Sequence, residues 1–121
     1  MREMKLYIGN KTYSSWSLRG WLALEVSGLN YEEILVPLDT DEFRSTMRAA
    51  SPTGCVPTLH HGDTRVWDSL AIIDYIDRLC PEAEFWPSEN DAYAHARAIS
   101  AEMHSGLTAL RGACPMNFRR K

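Results

Sequence analysis

Gly54-Cys55-Val56-Pro57-Thr58-Leu59, followed by Thr64-Arg65-Val66-Trp67-Asp68-Ser69-Leu70, is the stretch whose reading decides the fold. Pro57 stands at the first residue of an apolar run, where its missing N–H costs a sheet least. A cis Val56-Pro57 bond would turn the preceding N–H and C=O outward and make a docking edge for an extended peptide. Farther on, Asp68-Ser69 opens a helical pattern carried by Leu70, Ile72, Ile73, Ile76 and Leu79. The free N–H groups and dipole of such a helix start favour a carboxylate. Asp68 can hold an ammonium while Ser69 and the helix N–H groups hold a carboxylate, which together recognise the zwitterionic end of an amino acid. Asp and Ser are also ordinary N-caps, so the pair gains meaning only beside Val56-Pro57.

The 121 residues, 45% hydrophobic and 24% charged, suffice for one soluble domain with a modest core. A net charge of −3 supplies no basic stripe for phosphates, and Arg119-Arg120-Lys121 is too short to change that, so nucleic acid is not an expected partner. No apolar run reaches membrane-span length, and Met1-Arg2-Glu3-Met4-Lys5 lacks the apolar stretch of a signal peptide. No membrane partner and a cytoplasmic location are expected. Cys55, Cys80 and Cys114 are odd in number and widely spaced, and read as reduced thiols. Nothing basic adjoins Cys55, which reads as a small buried hydrophobe. His60, His61, His95 and His104 lack ligand spacing, so no metal site is expected. Trp16, Trp21, Trp67 and Trp86 read as packing or interface residues.

Working outward, Lys5-Leu6-Tyr7-Ile8-Gly9 reads as a first strand and residues 31–36 as a second. Leu18, Leu22, Ala23 and Val26 mark an amphipathic helix between them, closed by Gly28. A helix over Asp41–Ala50 follows, then two short strands at 57–60 and 64–67 joined by a turn at Gly62-Asp63, then the helix over 68–79. The order βαβαββα, with an N-terminal parallel pair and a C-terminal hairpin in one mixed four-stranded sheet, is an α/β thioredoxin-like plan.

That domain is expected over 1–80, with a proline-rich linker over 81–87. In Ser88-Glu89-Asn90-Asp91 a capping box would let Asp91 reach back to the cap of a new helix. Ala92, Ala96, Ile99, Met103, Leu107 and Leu110 recur every three or four residues along it. One helix beside a small sheet domain cannot enclose such a stripe, so 88–121 is expected to be the first helix of a truncated all-helical C-terminal domain.

These motifs together resemble the glutathione S-transferase family, over its whole N-terminal domain and the first helix of its C-terminal domain. Ser14-Ser15-Trp16-Ser17-Leu18-Arg19 resembles the serine-rich loop of the zeta class, Ser51-Pro52-Thr53-Gly54-Cys55-Val56-Pro57-Thr58-Leu59 the cis-proline segment, and Asp68-Ser69-Leu70-Ala71-Ile72 the γ-glutamyl segment. The resemblance implies that Val56 and Pro57 meet the cysteinyl part of glutathione, and that Asp68 and Ser69 hold its γ-glutamyl end. Glutathione is then a co-substrate. Ser14 and Ser17 stand at the ends of the stretch where a thioredoxin carries Cys-x-x-Cys, so dithiol redox chemistry is not expected.

A free thiol, with a pKa of about 8.5, is only slightly ionised at neutral pH. Lowering that value by about 2 units corresponds to roughly 2.7 kcal/mol. One charge-assisted hydrogen bond and a helix dipole can supply it. Ser15 has a Ser-x-x-x-Arg spacing to Arg19, Ser14 is the other serine of the loop, and both stand as catalytic candidates. Tyr13 is a loop rival, Tyr7 belongs to sheet packing, and Lys11 to solvent. The implied activity is transfer of the glutathione thiol to an electrophilic small molecule, as in detoxification, or a zeta-like cis–trans isomerisation of a small enoyl acid. A homodimer is expected by resemblance and from the apolar stripe. The alternative is a noncatalytic glutathione-transferase-like module that binds proteins, favoured by the lack of an acceptor domain and opposed by the retained serines.

Overall fold

The computed structural model describes residues 3–9, 15–37 and 40–105. Met4–Ile8 forms β1, Ser15–Ser27 α1, Glu32–Leu35 β2, Asp41–Ala50 α2, Thr58–His61 β3, Thr64–Trp67 β4, Ser69–Leu79 α3 and Asn90–Ser105 α4. A 3-10 turn at Pro81–Ala83 separates the last two helices. Among the described residues no helix is long and apolar enough to cross a membrane.

The period-two alternation of β1 builds the core. Met4, Leu6 and Ile8 are buried on one face, while Lys5 and Tyr7 turn to the other. The first three join Leu24 of α1, Leu59 of β3, and Ile72 and Ile76 of α3 in one cluster. Burying each such Leu or Ile contributes about 1.5–3 kcal/mol, so α1 and α3 are drawn onto this face. On the opposite face the Tyr7 ring lies 4.6 Å from that of His60. His60 Nε2 donates to the Ala50 carbonyl at 2.7 Å, which brings the end of α2 over that side. Burial holds His60 below the ordinary value of 6.5 and so favours the neutral ring.

The sheet has the order β2-β1-β3-β4. β1 pairs with β2 in parallel and with β3 antiparallel, and β3 with β4 antiparallel. This is the mixed four-stranded, thioredoxin-like arrangement expected from the element order. The second strand, Glu32–Leu35, is shorter than 31–36, although the Val36 N–H still donates to the Ile8 carbonyl at 2.8 Å, and beside it the Tyr31 hydroxyl donates to Glu25 Oε1 at 2.6 Å. Gly28, at φ +75°, ends α1 in the left-handed conformation that glycine adopts freely.

One local expectation is overturned at the start of α4. Asp91 does not reach back. Glu89 instead accepts from the N–H groups of Asp91 and Ala92, both at 2.9 Å, and its carbonyl accepts from Tyr93 at 2.8 Å. A glutamate immediately before the helix can span both first-turn donors with its two oxygens, a grip that a capping box shares between two side chains.

Those two bonds hold the Glu89 carboxyl below its ordinary value of 4.5. A depressed carboxyl stabilises the fold only while ionised, so its contribution is complete above 4.5 and is lost as pH falls through the folded-state value. In an NMR titration, the Asp91 and Ala92 amides are expected to shift with a midpoint below 4.5, and Glu89→Gln to abolish that titration. A midpoint at or above the ordinary value would contradict the cap.

Candidate functional site

Strand register brings distant segments to one edge of the sheet. Tyr7, near the end of β1, pairs with Thr58 at the start of β3. Thr58 in turn pairs with Trp67 at the end of β4. The chain leaving β1 toward α1, Pro57 entering β3, and Asp68 leaving β4 therefore meet at the same end. A cavity of about 530 Å³ opens there, bordered by Trp16, Val56, Pro57, Asp68, Ser69 and His104. That size suits a small organic ligand.

The Val56-Pro57 bond is cis. Turns hold the loop before it: the Gly54 N–H donates to the Ser51 carbonyl at 3.2 Å, and the Thr58 hydroxyl to the Cys55 carbonyl at 2.8 Å. Among the described residues the N–H and C=O of Val56 have no protein partner, the condition for pairing with an extended ligand. Pro57 itself is buried against α1. A Cβ on Gly20 would stand 3.2 Å from Pro57 Cβ and 3.3 Å from its Cγ, closer than ordinary contact, so a larger residue here requires the proline ring or the helix to give by a few tenths of an ångström. Ser17, fully buried, accepts from the Gly9 N–H at 2.9 Å and ties the end of β1 to α1.

Asp68 has φ +78° and ψ 129°, on the side of backbone space that residues with a Cβ avoid. Holding it there costs of order 1–3 kcal/mol, and such residues cluster at ligand sites. Its Oδ1 accepts from the Leu70 N–H at 3.2 Å, and its carbonyl from the Ile72 N–H at 3.0 Å. Ser69, almost fully buried, is the first residue of α3. The pair thus caps the helix and faces the cavity at once. A second, more apolar cavity of about 540 Å³ adjoins it, lined by Ile73 of α3 and by Ile99 and Met103 of α4.

The structure brings Val56, Pro57, Asp68 and Ser69 together. Ser15 is the first residue of α1, and Trp16 beside it borders the cavity, so the helix opens next to the site. The Arg19 guanidinium lies over the Trp16 ring, 4.3 Å from its centre. Lys11, Tyr13, Ser14 and the Ser15 side chain lie outside the described residues. Cys55 is exposed at the cavity rim, contrary to the expectation of a buried thiol, because it sits in the loop outside the sheet. Trp16, packed by Arg19 and His104, and Trp67 also border the cavity. Sequence reasoning also missed Gly20, whose position inside a helix was an available signal, and His104, for which there was none.

The model of the glutathione S-transferase N-terminal domain matches residues 13–79, from the serine loop to the end of α3. The chain belongs to the glutathione S-transferase family. It is 33% identical over 105 residues to a probable maleylacetoacetate isomerase of Caenorhabditis elegans, covering 87% of this chain and 48% of that protein. It is 38% identical over 104 residues to glutathione S-transferase Z1 of Arabidopsis thaliana, covering 85% and 45%. A Burkholderia glutathione transferase homologue, solved with bound glutathione, superposes with a TM-score of 0.76 at 27% identity, covering 93% of this chain and 62% of that one. The chain spans about half the length of the curated relatives it matches.

Two substitutions test how this glutathione S-transferase site is built. Asp68→Gly removes the backbone strain at the loss of a cap that glycine replaces within a few tenths of a kcal/mol, so denaturant unfolding is expected to show a net gain of about 1 kcal/mol. Gly20→Val forces a branched side chain against Pro57 and is expected to lose about 1–3 kcal/mol in the same measurement. A destabilised Asp68→Gly or an unaffected Gly20→Val would refute the respective accounts.

Proposed function

We propose that this chain binds glutathione and activates its thiol, and that it forms the thiol-binding part of a glutathione transferase of zeta-like type. The observation carrying this reading is that the free backbone of Val56 and the Asp68-Ser69 start of α3 open on one cavity. An extended tripeptide bridges them. Its cysteinyl residue pairs with the Val56 N–H and C=O as an added strand. Its γ-glutamyl ammonium meets the Asp68 carboxylate, while the carboxylate accepts from the Ser69 hydroxyl and the first N–H groups of α3.

This pose points the cysteinyl sulfur toward the start of α1. A hydroxyl of Ser15 or Ser14 donates to the thiolate, and the helix dipole adds to its stabilisation. In a conjugation, the thiolate forms a bond to an electrophilic carbon, and either that carbon's bond to a leaving group breaks with its pair departing on the group, or the π pair of an activated double bond shifts to the neighbouring atom and is protonated there. In an isomerisation, it adds to an enoyl carbon, rotation occurs about the resulting single bond, and expulsion of the thiolate restores glutathione. The relatives named as isomerases support the second reaction. A homodimer acting in the cytoplasm completes the reading.

Calorimetric titration of glutathione into the 121-residue chain tests it. Saturable binding is expected, weakened about tenfold or more in Ser69→Ala, since a hydrogen bond to a charged group contributes roughly 1.5–3 kcal/mol. Ser15→Ala and Ser14→Ala separate the serines: the one that acts raises the bound thiol's pKa when removed. A folded chain that fails to bind would point instead to a noncatalytic interaction module.

A further inference from the structure

One side chain in the cavity comes from outside the sheet domain. His104, near the end of α4, places Nε2 2.7 Å from Asp68 Oδ1. Its Nδ1 lies 3.5 Å from Ser69 Oγ, and its ring meets Trp16 edge-on with centres 5.0 Å apart. It therefore touches both γ-glutamyl candidates and the first turn of α1.

The reach of His104 is not accidental to its helix. Arg97 lies about two helical turns earlier on the same face of α4. Its guanidinium pairs with Asp74 at 3.1 Å and lies over the Trp86 ring, 4.5 Å from the centre. Asp74 follows Asp68 on α3, so the two pairs run in opposite senses and lay α4 antiparallel along α3. Arg97 anchors the near end and His104 meets the far one.

Among the described residues, the Leu70 N–H donates to Asp68 Oδ1, and His104 Nε2 stands 2.7 Å from the same oxygen, so both contacts to the carboxylate fall on Oδ1. Oδ2 is left for another partner. The His104 side chain is 23% exposed and that of Asp68 47%, so the contact is partly shielded from water. A carboxylate already held in place gives up less freedom when a ligand arrives.

We propose that His104 is a positioning residue for the amino-acid end of the ligand. It holds Asp68 Oδ1 so that Oδ2 faces the incoming ammonium. This inference rests on the glutathione reading above. A donor at Nε2 suffices, so the imidazole acts in its Nε2-protonated neutral form as well as in its cationic form.

The test compares glutathione with glutaryl-cysteinylglycine, which lacks the α-amino group, by calorimetry on the unaltered chain, His104→Ala and His104→Gln. His104→Ala is expected to weaken glutathione binding about tenfold, a difference of about 1.4 kcal/mol. His104→Gln, whose amide N–H can reach the same oxygen, is expected to recover most of that loss. Toward the analogue, the unaltered chain and His104→Ala are expected to bind alike. An equal loss for both ligands would mean that His104 only supports the fold, and would overturn the proposal. Glutathione binding indifferent to His104→Ala would overturn it while leaving the glutathione reading intact. Absence of glutathione binding by the unaltered chain would overturn both.

Discussion

Burial of the inner face of β1 is the constraint on which the rest of the structure depends. Met4, Leu6 and Ile8 leave water only if α1 and α3 close over them together, with Leu24, Ile72 and Ile76 as the matching surface. That closure determines where both helices begin. The Gly9 to Ser17 hydrogen bond ties the end of the strand to α1, and the close approach of Gly20 to Pro57 brings α1 against the loop entering β3. Core packing and site geometry are thus consequences of one event.

The site draws on backbone as much as on side chains. Among the described residues the Val56 peptide groups have no protein partner, and α3 presents the donors of a helix start, of which Asp68 caps the Leu70 N–H. Both are local defects in hydrogen bonding that the interior could not tolerate and that a ligand can repair. Asp68 adds a strained backbone to the same place. The core supplies the compensation, and the strained residue borders the cavity with Oδ1 held on the Leu70 N–H.

Much of the fold was legible because its signals are short-ranged. Alternation in β1, the Gly28 helix stop, the Gly62-Asp63 turn and the apolar pattern of α3 each lie within a few residues. Val56-Pro57 and Asp68-Ser69 were legible for the same reason, each pair carrying its own chemistry. Cys55 was misread, because a cysteine is commonly buried and nothing local says that its loop stays outside the sheet. At Glu89 the choice between two competing carboxylates depended on where the helix began, a boundary that sequence pattern leaves open by a residue or two.

The amino-acid order by itself determined the element sequence, the mixed sheet and the two residue pairs that come to border the cavity, since these follow from periodicity, proline and helix-start chemistry. Only the tertiary structure decided which faces meet. The pairing of Tyr7 with Thr58 and of Thr58 with Trp67 depends on strand register, and it is register that brings Val56 opposite Asp68. The contact of His104 with Ser69 spans 35 positions. No local pattern encodes such a contact, because it depends on the angle at which α4 lies along α3, and that angle is set by Arg97, Asp74 and Trp86 acting together.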